Sequence, residues 1–286
     1  MLQPDATVFQ IRSFLESELR NLYPAGEAAS ITRLVLEHVG YPRSTLPMKQ
    51  SHRPGAAIAT QIKEIVSEIY TGRPIQYILG YTYFFDLKIY LDQAVLIPRP
   101  ETEEMVYKIT DKPSCIPTRI VDLGTGSGCI ALALKKCYPD AYVAGVDNSK
   151  SALHMARKNS QINDLQVDWI DSDLIRGSSA EIPGGIDLMV SNPPYVRESE
   201  RSHMHSNVID FEPQEALFVT DREPLVFFRT IALLAKEKLR KDGWVWVEIN
   251  EFLANETAEV FVSEGFHHVT IMKDIHEKER YIRAKR

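Results

Sequence analysis

The chain has 286 residues, more than one average domain and fewer than three, and with 44% hydrophobic and 25% charged residues it is expected to bury a sizeable core without disulfides. Its 33 Lys and Arg against 39 Asp and Glu leave a net charge of −6, which argues against a protein that grips a phosphate backbone through a broadly basic surface. No apolar run approaches the roughly 20 residues needed to span a bilayer, and Cys115, Cys129 and Cys137 are an odd set without paired zinc spacing, read as three reduced thiols.

Taken in chain order, the first segment carries Asp5, Arg12, Glu16 and Glu18 among its apolar positions, so it lacks the core of a signal peptide, and a cytoplasmic location is expected. Val8, Ile11, Phe14, Leu15, Leu19 and Leu22 recur at helical spacing and predict a first helix, ended by Pro24 and Gly26. Ala28, Ile31, Leu34, Val35 and Val39 predict a second, stopped by Gly40 and Pro42. Ile58, Ile62, Ile65, Val66 and Ile69 predict a third, stopped by Gly72 and Pro74. Three amphipathic helices suit a small bundle over residues 1–73. A linker over 74–97 follows: Tyr77 to Phe85 and Leu87 to Ile97 are read as short strands, with turns at Gly80 and Phe85-Asp86.

The remainder, 98–286, alternates strand and helix. Strands are expected at Arg119 to Leu123, Tyr142 to Val146, Gln166 to Ile170, Ile186 to Val190 and Trp244 to Ile249, with last strands at His268 to Met272 and Tyr281 to Arg283. Helices are expected at Ser127 to Cys137, Ser149 to Gln161, Leu225 to Leu239 and Phe252 to Val262. This alternation predicts an α/β fold with a mostly parallel sheet and helices on both faces.

The first of these strands enters a glycine-rich turn, Asp122-Leu123-Gly124-Thr125-Gly126-Ser127-Gly128, before a helix. Glycines there let the backbone approach a ligand, and the helix start offers free N–H groups. Alone the loop is weak evidence, but its G-x-G-x-G spacing lacks the extra gap of the dinucleotide fingerprint. Asp122 is placed to orient the loop or to hold a ligand ammonium. Asp147, at the end of the second strand, suits the two hydroxyls of a ribose, and Asp173-Leu174, after the third, suits an adenine. The competing reading makes Asp147 and Asp173 turn or cap residues.

Asn192-Pro193-Pro194-Tyr195 follows the fourth strand, where ligands of open sheets sit. A planar amide nitrogen is a poor nucleophile, so a site that alkylates one must hold its N–H bonds and aim it. The Asn192 side-chain oxygen and the Pro193 carbonyl are suited acceptors, the prolines stiffen the turn, and Tyr195 can cover the flat face of the amide. The same residues as a bare rigid turn are the alternative.

The glycine loop, the acidic end of the second strand and Asn-Pro-Pro-Tyr resemble the class I methyltransferases. Arg73-Pro74-Ile75-Gln76-Tyr77-Ile78-Leu79-Gly80, Leu96-Ile97-Pro98-Arg99-Pro100-Glu101-Thr102-Glu103 and Phe211-Glu212-Pro213-Gln214-Glu215-Ala216-Leu217 resemble the HemK/PrmC family of release-factor glutamine methyltransferases over nearly the whole chain. The resemblance implies a Rossmann-like, mostly parallel seven-stranded sheet with a small N-terminal helical bundle for substrate recognition and a β-hairpin linker. It implies S-adenosylmethionine as cofactor, held by Gly124 to Gly128, Asp147, Leu174 and Asn192, to which the side-chain chemistry read above adds Asp122 and Asp173. It implies the glutamine of a class I release factor as substrate, held by Asn192, Pro193, Pro194 and Tyr195. Leu174 departs from relatives that carry an aromatic residue there.

Arg99 and Glu101 are expected to shape the substrate mouth, with a proline turn before a helix start at Glu101 to Glu104 as the plainer reading, and Glu212 is expected to help position the substrate, with a solvated loop acid as its plainer reading. His203 and His205 lack a third ligand, so no metal is expected. A monomer acting on protein rather than on nucleic acid or membrane is expected. Alternatives are a ribosomal-protein glutamine methyltransferase, a methyltransferase of nucleic-acid exocyclic amines, and a catalytically silent cofactor-binding assembly module.

Overall fold

The computed structural model describes residues 2–111, 116–176 and 179–286; Cys115 lies outside them. The chain forms two compact units, residues 1–80 with 206–211, and 81–205 with 212–286.

The first unit holds α1 (Val8–Leu19), α2 (Ala25–His38), α3 (Ala56–Tyr70) and α4 (Ile75–Leu79). Thr7 caps α1 reciprocally: its hydroxyl accepts from the Gln10 amide, and the Gln10 side chain accepts from the Thr7 amide. Most of the expected apolar positions are buried, but Leu22 lies beyond the end of α1 and is 42% exposed, and Phe14, Leu34, Val39 and Ile58 are half-buried. Val8, Ile11, Leu15 and Leu19 of α1, Ile31 and Val35 of α2, and Ile62, Ile65 and Ile69 of α3 are all buried. The strand expected from Tyr77 is instead α4 as far as Leu79. Pro74 supplies a helix-compatible start, and Gly80, left-handed at φ 77°, stops it after little more than one turn.

The second unit opens with the hairpin β1 (Tyr81–Phe84) and β2 (Leu87–Tyr90), turned at Phe85 and Asp86, both at positive φ. Residues 91–97, expected as strand, lie outside the hairpin. Then come α5 (Pro100–Thr110), β3 (Arg119–Leu123), α6 (Cys129–Cys137), β4 (Tyr142–Asp147), α7 (Lys150–Ile162), β5 (Asp168–Asp171), β6 (Ile186–Ser191) and β7 (Val196–Arg197). The short α8 (Ser206–Phe211) belongs to the first unit; β8 (Phe218–Val219), α9 (Val226–Lys238), β9 (Leu239–Glu248), α10 (Ala254–Ser263), β10 (His267–Lys273) and β11 (Glu279–Lys285) return to the second.

Among the described residues, the large sheet has seven strands in the order β10-β11-β9-β6-β3-β4-β5. The strands from β9 to β5 in that row are parallel; β11 runs antiparallel to both β9 and β10. Side chains alternate across it. Val121 and Leu123 join a core with Phe228 and Ile231 of α9 and Phe261 of α10, whereas Ile120 faces a second core with Met105 of α5, Leu132 of α6 and Ile89 of the hairpin. Both faces are thus covered, as a parallel sheet requires. No helix among the described residues is long and apolar enough to cross a membrane.

Candidate active site

The sheet's register builds the site. β3 lies between β4 and β6, with Leu123 opposite Val146 on one side and Ser191 on the other. The Ser191 hydroxyl donates to the Leu123 carbonyl at 2.7 Å, which ties the two strand ends together. Gly124, Asn192 and Asp147 therefore leave the sheet at one edge, at the carboxyl ends of adjacent parallel strands.

The loop after β3 is held from beneath. The Gly124 and Thr125 amides both donate to the Val146 carbonyl at 2.9 Å, and the Gly128 amide donates to the Thr125 carbonyl at 2.8 Å. Gly124, Gly126 and Gly128 adopt φ of 68°, 53° and 81°, the left-handed region open to glycine. A Cβ built at Gly124 or Gly126 would enter open space, whereas one at Gly128 would come within 2.7 Å of the Trp169 ring. The loop is thus packed against Trp169 on its inner side and open on its outer side. A Cβ at Gly145, on the neighbouring strand, would meet the same ring at 2.4 Å.

Asp122 is fully buried under this loop and accepts the Thr125 hydroxyl at 2.6 Å. Burial pushes its pKa up to about 7, against the opposing pull of the Thr125 hydroxyl and the Ala131 amide. Of the two roles expected for Asp122, the geometry carries loop orientation, through Thr125. Asp147 accepts from the Gly126 amide at 2.8 Å and the Ser149 amide at 2.9 Å, one bond per carboxylate oxygen. It thus does the turn work of the plainer reading and keeps a lone pair on each oxygen for a ligand hydroxyl. Burial raises its pKa, partly offset by the amides it accepts from. Asp173 accepts the Ile175 and Arg176 amides on Oδ1, and Leu174 packs partly buried on the α9-side core.

On the other side of β3, four side chains form one chain of hydrogen bonds. The Thr102 hydroxyl donates to Glu248 Oε2 at 2.7 Å, and the Tyr195 hydroxyl donates to Glu248 Oε1 at 2.8 Å. The Asn192 side-chain nitrogen donates to the Thr102 oxygen at 2.9 Å. Glu248 and Thr102 are buried. Burial raises the Glu248 pKa, and the hydroxyls of Thr102 and Tyr195 and the Arg280 charge draw it back. Burial, then the neighbouring Glu248 charge, push the Tyr195 hydroxyl well above its ordinary value, so it stays protonated and donates. Pro193 is buried and Pro194 half-buried, the stiff segment between Asn192 and Tyr195.

Arg99 and Glu212 find each other. Arg99 caps α5, and its guanidinium meets Glu212 Oε1 at 2.6 Å, while Glu212 Oε2 accepts the Ile97 amide at 3.1 Å. Glu212 is 4% exposed, so the solvated acid does not occur. The helix expected at Glu101 starts at Pro100, with Glu101 and Glu103 in its first turn. His203 closes a short turn over Glu198–His203, and no three His, Cys, Asp or Glu among the described residues are grouped to hold a metal.

Sequence reasoning missed Thr102, Glu248 and Trp169. Thr102 stood inside a quoted motif without a role. Glu248 was detectable as a carboxylate in the apolar run Trp244-Val245-Trp246-Val247, a position where an acid is costly unless partnered.

Residues 102–215 match the family model of the methyltransferase small domain, and residues 10–80 that of the PrmC N-terminal domain. The chain is similar to proteins named release factor glutamine methyltransferase. One, of Flavobacterium psychrophilum, is 40% identical over 78% of this chain and 79% of its own. Another, of Bacteroides thetaiotaomicron, is 37% identical over 97% and 99%. Among solved structures, a methyltransferase of Pyrococcus furiosus superposes with a TM-score of 0.53 at 18% identity, over 77% of this chain and 96% of that one. A T. thermophilus ribosomal RNA methyltransferase bound to AdoMet and guanosine gives 0.53 at 17%, over 72% and 49%. At these identities the two superpositions speak to the fold.

Proposed function

Because the chain belongs to the release factor glutamine methyltransferase family, we propose that it transfers the methyl group of S-adenosylmethionine to the side-chain amide nitrogen (N5) of the glutamine in the Gly-Gly-Gln loop of a class I peptide chain release factor. The observation that carries this reading is Asn192: its nitrogen is committed to Thr102, and no described residue donates to its oxygen. That oxygen stands one strand away from the glycine loop, as an acceptor without a donor among the described residues.

When bound, the cofactor supplies an electrophilic methyl on a sulfonium with a neutral thioether as leaving group. Gly124 to Gly128 offer a loop with open space before Gly124 and Gly126, the donor set and room that a nucleoside with an amino-acid tail requires. Asp147 would hold the ribose hydroxyls and Asp173 and Leu174 would hold the adenine, while Asp122 keeps the loop in shape through Thr125.

The substrate amide nitrogen must present its lone pair to the methyl. Asn192 accepts one N–H through its oxygen and Pro193 the other through its carbonyl. Two acceptors stabilise the positive charge that builds on nitrogen as it attacks. Tyr195 walls the amide, its hydroxyl turned away to Glu248. The product is a secondary amide with one amide proton released. Cys129, whose thiol is pushed up to about 12 by burial, is no nucleophile at neutral pH, and none is needed. Arg99 and Glu212 hold the shape of the substrate mouth as an ion pair rather than by direct contact.

The helical unit grips the release factor. The protein acts as a monomer in the cytoplasm, on protein rather than nucleic acid or membrane; the net charge of −6 favours a protein over a nucleic-acid substrate, and the free thiols of Cys129 and Cys137 favour a reducing compartment. The test is mass spectrometry of a purified release factor after incubation with the protein and S-adenosylmethionine. A single methyl is expected on the glutamine of the Gly-Gly-Gln loop and none on a Gln→Ala loop variant. A methyl on a ribosomal protein or on RNA, with the release factor unmodified, would replace this reading.

A further inference from the structure

We propose that Glu248 is a positioning residue for methyl transfer, acting through Thr102 to lock the Asn192 carboxamide with its oxygen toward the substrate. The proposal rests on the reading of Asn192 as the acceptor for the substrate amide.

With Glu248 ionised, as its two hydrogen bonds require, the carboxylate only accepts and both hydroxyls that reach it donate to it. Thr102 has a single hydroxyl proton. With that proton on Glu248, its oxygen can meet Asn192 only as an acceptor, so the Asn192 atom at 2.9 Å must be the nitrogen. The amide is planar, and its oxygen then points the other way. A carboxamide rotated by half a turn would set an NH2 group against the NH2 of the substrate glutamine, donor against donor. Glu248 thus sets the polarity of a chain that ends on the reacting amide. Its second oxygen, through the Tyr195 hydroxyl, fixes the other end of the same tetrapeptide.

The elements confirm that this is a support and not a surface accident. Thr102 comes from the first turn of α5 and Glu248 from the last residue of β9, while Asn192 follows β6, the strand paired with β9. Both Thr102 and Glu248 are at most 2% exposed, so water does not substitute for either partner.

The test compares the unaltered protein with Thr102→Val, Thr102→Ser, Glu248→Gln and Asn192→Ala. Each is assayed for kcat and KM on the release factor with labelled S-adenosylmethionine, for cofactor Kd, and for Tm. Thr102→Val leaves Asn192 without its acceptor and is expected to lower kcat roughly ten- to hundredfold, with cofactor Kd within about twofold of wild type. Thr102→Ser keeps the hydroxyl and is expected to restore kcat. Glu248→Gln can offer an N–H to Thr102 and reverse the chain, so its kcat also falls while it remains folded. Wild-type kcat in Thr102→Val or Glu248→Gln, alongside an inactive Asn192→Ala, overturns the positioning role and leaves the reading of Asn192 standing. Equal losses in the Val and Ser variants overturn it too, since shape and not the hydroxyl would then matter. Wild-type kcat in Asn192→Ala removes the acceptor assignment and the positioning role together.

Discussion

A carboxylic acid with no solvent exposure, placed under a glycine loop, is a costly choice that must return something in geometry. Asp122 holds Thr125, and Thr125 sits in the loop whose amides are pinned to the next strand. Its folded pKa of about 7 lies above the ordinary 3.8, so between these values the native state binds more protons than the unfolded one. The stability from the neutral form is complete at low pH and is lost as pH rises toward 7. Asp122→Asn removes this titration while keeping an acceptor for Thr125. Without cofactor, the variant should therefore gain on wild type between pH 4 and 8 by on the order of a few kcal/mol. Denaturant unfolding across that range checks it; parallel stability curves would mean that Asp122 ionises freely in the fold. Glu248, raised in the same direction, is common to both proteins and cancels from the difference.

At the scale of elements, helices and their ends follow local rules closely. The reciprocal Thr7–Gln10 cap is such a rule, and Thr7→Ala is expected to cost about 1 kcal/mol, read as a lower urea midpoint at unchanged slope. An unchanged midpoint would show that packing alone sets the start of α1. The periodic apolar positions of α1, α2 and α3 were legible because a stripe of three or four buried residues leaves a repeat in the sequence. Tyr77 to Leu79 was not, since a run of aromatic and branched residues reads alike as strand or as one helical turn, and the left-handed Gly80 decides. Ser206–Phe211 is too short for any period, and its place in the first unit comes from packing. The glycine loop and the Asn-Pro-Pro-Tyr segment were legible for the opposite reason: their residue types are unusual, and few structures other than a ligand site require them together.

For the molecule as a whole, each unit has a core of its own. Leu15 is fully buried in the first unit, and Leu15→Ala should cost about 2–5 kcal/mol there. Cofactor affinity, which the proposed site assigns to the second unit, is expected within about twofold of wild type, while methylation of the release factor falls. Isothermal titration with S-adenosylmethionine and the label-transfer assay separate the two; cofactor affinity lost in step with methylation would mean that the division of labour is wrong. The alternation of strands and helices, the bundle before it, the left-handed glycine turn after β3 and the Asn-Pro-Pro-Tyr segment after β6 were determined by the amino-acid sequence, because each depends on residues within a few positions of one another. What holds that amide was decided only by the tertiary structure. Thr102 lies 90 residues from Asn192 and 146 from Glu248, and Tyr195 lies 53 from Glu248. They meet because β6 runs between β3 and β9 in the sheet, and strand order is a property of how the whole sheet buries its two faces, not of any stretch of chain within it.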